Sequence, residues 1–101
     1  WHGDTFLPPA GAQQLASAPH CDHQVFVLRD RHLLVQSHLE MTPELVEGYL
    51  THNGAQLERQ HLAGNPAASA PADARRNLAA RTAAMTDALK QLYLRWARSL
   101  R

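Results

Sequence analysis

The sequence predicts an α/β fold in which short strands are followed by two or more helices. Before residue 37 the apolar residues fall in short β-prone runs, QVFVL at Gln24–Leu28 and HLLVQ at His32–Gln36. These have the length and bounding turn residues of strands. From Thr42 onward the apolar residues recur mostly at spacings of three, four and seven, the period of a helix with one covered face. Near-continuous apolar character in the two runs predicts strands covered on both faces, as inside a larger sheet.

In chain order, Pro8, Pro9 and Gly11 mark a loop, and Gln14–Ser17 (QLAS) is a candidate brief strand. The runs 24–28 and 32–36 are joined by Arg29, Asp30 and Arg31, which predicts a hairpin. Thr42 is a suitable N-cap, Pro43 suits the first helical position, and Glu44 complements the helix N-terminus. Leu45, Val46, Tyr49 and Leu50 then predict one covered face, with Asn53–Gly54 as a stop and a further turn or two over 55–63. GNPAASAPA at 64–72 reads as a loop. A long helix is predicted from about Asp73 to Leu100, with Leu78, Met85, Leu89, Leu92, Tyr93, Trp96 and Leu100 as its core-facing stripe.

Composition narrows the function classes. A chain of 101 residues is one domain or part of one. Its 45% hydrophobic content is in the globular range, although alanine supplies much of it and the core should be modest. The lone cysteine, Cys21, cannot close an internal disulfide, which fits a cytoplasmic protein. No apolar run approaches the ~20 residues that cross a bilayer, and WHGDTF lacks the regions of a signal peptide. Charge is uneven: residues 1–74 carry three arginines against eight acids, whereas 75–101 carry seven basic residues against Asp87 alone. A basic tail can serve nucleic acid or an anionic membrane; here helical spacing favours a solvated helix face, with neither as partner.

Two stretches carry candidate chemistry. In SHLE, Ser37–Glu40, a histidine follows a strand and precedes a helix, where catalytic groups gather in α/β sheets. A carboxylate two residues on can fix the imidazole tautomer and stabilise its cation, as the third member of a catalytic triad does. In HCDH, His20–His23, the cysteine has neither a CxxC partner for zinc nor the glycines of a Gly-x-Cys-x-Gly turn, so Cys21 reads as a non-catalytic loop residue. All seven histidines precede residue 62 and follow no zinc-binding spacing. With no P-loop or GxGxxG fingerprint either, neither metal nor cofactor is expected.

Three segments taken in order carry a resemblance. Trp1–His2–Gly3–Asp4 comes first, then Leu15–Ala16–Ser17 with Gln24–Val25–Phe26, then Gln36–Ser37–His38–Leu39–Glu40. Together they resemble the C-terminal half of a class I glutamine amidotransferase domain, in the subgroup of the amidotransferase portion of GMP synthase. There the segments read (W/S)HGD, LA(S)S with QAF, and QFHPE. The TPELVEGYL helix and the Trp-bearing last helix are similar to that subgroup too. This chain departs from the pattern at Ser37 (usually Phe), Leu39 (usually Pro) and Leu34 (often Gly).

The resemblance implies a Rossmann-like (flavodoxin-like) α/β sandwich around a mixed sheet. It implies hydrolysis of the glutamine side-chain amide through a cysteinyl thioester, with ammonia passed to an acceptor. His38 matches the triad histidine and Glu40 the acid that orients it. His2, Gly3 and Asp4 match the stretch that lines the glutamine site, largely through backbone. The family's nucleophile lies in the N-terminal half, and Cys21 does not match its place. The sequence also starts without a methionine, inside a site-like stretch. The expectation is therefore that residues 1–101 are the C-terminal portion of one domain, inactive alone, whose N-terminal half is supplied in cis or in trans. Half a sheet should expose apolar edges, so low stability and self-association into homo-oligomers are expected. Two alternatives stay open: a non-catalytic binding module, motivated by SHLE in place of FHPE, and a γ-glutamyl peptide hydrolase.

Overall fold

The computed structural model describes all 101 residues, Trp1–Arg101. It contains three strands, β1 (Gln13–Ala18), β2 (Cys21–Leu28) and β3 (His32–Val35), followed by α1 (Pro43–Leu62), α2 (Pro71–Arg75) and α3 (Leu78–Ser99). These divide into two compact units, one of residues 1–39 with 88–101 and one of residues 40–87.

The first unit is built on an antiparallel sheet in the order β1-β2-β3. As the central strand, β2 has both edges paired and buries three successive residues, Gln24, Val25 and Phe26. Successive side chains point to opposite faces, so its middle is covered on both sides. The one polar member, Gln24, satisfies its amide by donating to the Cys21 carbonyl at 3.1 Å. Double-sided burial does not extend to β3, where His32 and Val35 are exposed and only Leu33 and Leu34 are half-covered. Within this chain β3 is an edge strand, with a neighbour on one side only. β1 is the other edge, exposed along most of its length and irregular in register on either side of Ala16. Such irregularities twist an edge and discourage further pairing.

The β2–β3 turn holds Arg29 and Asp30 at φ 54°, with the Arg31 N–H donating to the Leu28 carbonyl at 3.1 Å. Two central residues of positive φ suit the right-handed twist of a hairpin, but an arginine pays for that conformation with a Cβ–carbonyl clash. Replacing Arg29–Asp30 by Asn-Gly is therefore expected to stabilise the chain by about 1 kcal/mol, read as a higher urea midpoint at unchanged slope. On the far side of the turn, the Trp96 indole N–H of α3 donates to the Arg31 carbonyl at 2.8 Å.

In the second unit, α1 starts as expected: Thr42 caps it by accepting the Leu45 N–H at 3.2 Å, and Pro43 occupies its first turn. The Glu44 carboxyl is held below its usual range by its own backbone N–H and then by the Thr42 hydroxyl. The helix does not stop at Asn53–Gly54 but runs on to Leu62. Thr51 and His52 bond the carbonyls four residues back, at 2.8 and 2.7 Å, so their polar groups are satisfied within the helix. Its covered residues are Val46 and Leu50, while Leu45 and Tyr49 are exposed. Gly48 and Gly54 cost α1 backbone entropy, and a Cβ at either would meet no atom within 4 Å. Gly48→Ala and Gly54→Ala should each raise stability by about 0.5–1 kcal/mol in chemical denaturation.

The long helix predicted from Asp73 is two helices. Asn77 adopts φ 50° between α2 and α3, and only glycine, asparagine and aspartate visit that region readily. The Arg81 guanidinium supports the break by donating to the carbonyls of Asp73, Ala74 and Arg76 at 3.1–3.3 Å, groups that a helix end leaves unpaired. Arg75 pairs with Glu47, and Arg76 with Asp73. Three charges of the basic tail thus have internal partners. On α3 the expected residues Leu78, Met85, Leu89, Leu92 and Trp96 are half-buried. Tyr93 and Leu100 are exposed, and the most covered position is a threonine, Thr82, 3% exposed, its hydroxyl donating to the Leu78 carbonyl at 2.8 Å.

Candidate functional site

The Gln36 side chain at the end of β3 meets residues 2–6, and the SHLE stretch follows directly in the chain. Pairing of β2 with β3 extends one residue past Val35, because the Gln36 N–H donates to the Gln24 carbonyl at 2.8 Å. His38 follows two residues later in the same unit and is exposed. From Ser37 to Met41 exposure alternates: Ser37, Leu39 and Met41 are half-buried, and His38 and Glu40 are exposed. Period-two alternation is that of extended chain. Ser37 and Leu39, two of the three departures from the amidotransferase pattern, therefore occupy covered positions, whereas His38 and Glu40 face outward. Glu40 opens the second unit.

The His2–Gly3–Asp4 segment lies at the end of β3 because the Gln36 side chain holds it there. Gln36 Oε1 accepts the Phe6 N–H at 3.3 Å, and Nε2 donates to the Asp4 carbonyl at 3.0 Å and lies 2.8 Å from His2 Nδ1. His2 Nδ1 is also 2.9 Å from the Asp4 carbonyl. A ring protonated at Nδ1 donates to that carbonyl, and one bare at Nδ1 accepts the Gln36 amide. Behind these bonds Phe6 packs edge-on against Phe26, ring centres 5.8 Å apart, and both rings neighbour His23. Gly3 has no atom within 4 Å of where a Cβ would sit, so its backbone is open to approach.

Cys21 lies in the strand network and not in a loop: it begins β2, opposite Ala18. Its half-buried thiol sits 3.7 Å from both Gln36 Nε2 and Thr5 Oγ1. The extension of β2 back to Cys21 was not legible in HCDH, whose charged and polar residues masked it. Gln36 was visible only as the first letter of QSHLE, and nothing in the sequence tied it to residues 2–6. Nowhere do three His, Cys, Asp or Glu side chains converge as a metal ligand set, and no helix is long and apolar enough to cross a membrane.

The fold has a counterpart among solved structures. The chain superposes on a glutamine amidotransferase from Methylobacillus flagellatus with a TM-score of 0.88 at 28% identity, over 98% of its own length. The fold is glutamine amidotransferase-like. The match takes in 41% of the other protein, so the chain spans about two fifths of its length. No protein-family model and no curated protein matches the sequence.

Proposed function

We propose that this chain is the C-terminal portion of a class I glutamine amidotransferase-like domain, of the GMP synthase subgroup, and supplies two members of its Cys-His-Glu triad. The observation that carries this reading is the superposition over nearly the whole chain on a protein described as a glutamine amidotransferase. The order of His2–Asp4, the β2 run and QSHLE supports it. Glutamine is the substrate, and the reaction needs no cofactor. A thiolate from a segment outside this sequence, in cis or in trans, attacks the amide carbon. His38 carries the thiol proton to the departing ammonia and then takes one from the water that cleaves the thioester. Glu40 keeps the imidazole in the donating tautomer and stabilises its cation. The backbone of His2–Gly3–Asp4 lines the glutamine pocket. Cys21 is not the nucleophile: it is a strand residue with neighbouring Thr5 and Gln36 and no glycine-flanked turn.

The deciding experiment is glutamine hydrolysis by the complete protein, followed as ammonia release. It is paired with translation of the gene upstream of the Trp1 codon in search of a Gly-x-Cys-x-Gly turn. Turnover together with that motif supports the reading. A folded complete protein that carries the turn yet releases no ammonia overturns it in favour of a non-catalytic module that kept the fold.

A further inference from the structure

We infer that Gln36 is a positioning residue that latches segment 2–6 onto the end of β3 and so sets the affinity for the substrate that this segment lines. The inference rests on the proposed glutamine site for its functional half and on geometry alone for the latch. A single amide meets three points of one segment: it accepts from Phe6 N at 3.3 Å, donates to the Asp4 carbonyl at 3.0 Å, and lies 2.8 Å from His2 Nδ1. Its own backbone is fixed to β2 through the Gln24 carbonyl. Segment 2–6 belongs to no strand or helix, and beside this latch its ties include the Phe6 ring contacts, the Thr5–Cys21 contact and the internal His2–Asp4 bond. Both faces of the amide are used, so no residue of similar size but different chemistry replaces it. Glutamate keeps the acceptor and loses the donor; methionine loses both.

Cys21 supplies a readout independent of activity, since its thiol lies 3.7 Å from both the latch and Thr5. Gln36→Met and Gln36→Asn are made in the complete protein. Alkylation of Cys21 by iodoacetamide is followed on its own peptide by mass spectrometry, which makes other thiols irrelevant, and KM and kcat for glutamine are measured alongside. Gln36→Met is expected to speed alkylation by at least about fivefold, the factor that loss of even one of these hydrogen bonds gives a local opening equilibrium. KM should rise by up to about tenfold while kcat stays within about twofold, the signature of lost substrate binding. A merely structural role would lower the active fraction, hence kcat, and leave KM in place. Unchanged alkylation in a folded variant overturns the latch whatever the enzyme does. Faster alkylation with unchanged KM overturns the substrate-positioning role. A wild-type protein without glutaminase activity fails the proposed function before any variant is made, and the positioning role fails with it.

Discussion

His38→Ala in the complete protein should lower glutamine hydrolysis by about 10²–10⁴-fold, the usual worth of a positioned proton carrier. In the proposed reaction two proton transfers depend on it. An amide leaves as ammonia only if its nitrogen gains a proton as the tetrahedral adduct collapses, and water attacks the thioester only if a base removes one. Glu40→Gln should cost less than His38→Ala, since in the proposed triad the carboxylate would act through the ring and touch no reacting atom. The fold should tolerate both changes, because His38 and Glu40 are exposed while the covered residues around them are Ser37, Leu39 and Met41. Unchanged melting with collapsed turnover is therefore the expected pair of results. Full turnover by a folded His38→Ala variant would remove this histidine from the reaction. In the unsubstituted complete protein, turnover of γ-glutamyl peptides in preference to free glutamine would point instead to a γ-glutamyl peptide hydrolase.

Much of this was legible in residue patterns, and the exceptions share a physical cause. QVFVL and HLLVQ became β2 and β3, and Thr42–Pro43–Glu44 became the start of α1, because each signal is local. Asn53–Gly54 read as a stop because Asn-Gly is a local helix-ending signal, whereas α1 continues through it to Leu62. The break at Asn77 was hidden in a run of good helix formers. It depends on a positive φ and on one guanidinium that gathers three carbonyls. Thr82 escaped because the apolar period has no place for a hydroxyl that satisfies itself on its own helix. The site divides in the same way. His38 and Glu40 were visible as a motif, and the amidotransferase-like fold followed from the order of three segments. The amide of Gln36 acts over thirty or more residues of chain, and only the folded structure reveals such a bond.

Phe26→Ala is expected to destabilise the strand-bearing unit by about 3–5 kcal/mol, a large share of the ~5–15 kcal/mol that holds a small domain together. Phe26 is 4% exposed on the central strand, and few other side chains of its unit are as well covered. It pairs with Gln14 on β1 and Leu34 on β3, so a cavity there loosens both neighbours. The Phe6 ring, edge-on at 5.8 Å, would lose its aromatic partner and with it an anchor of segment 2–6. Phe26→Leu, which keeps most of the volume, should cost less than half as much in urea or guanidinium denaturation. It should still speed Cys21 alkylation, because the edge-to-face contact is lost even where the space is filled. Equal and small losses for Ala and Leu would mean that the surroundings collapse onto the gap, and that the ring contributes little beyond its bulk. A large loss for Ala with a small one for Leu would make Phe26 the point where sheet stability and segment placement meet. The same side chain would then hold the middle of the sheet and, through Phe6, the strip of backbone on which glutamine is proposed to lie.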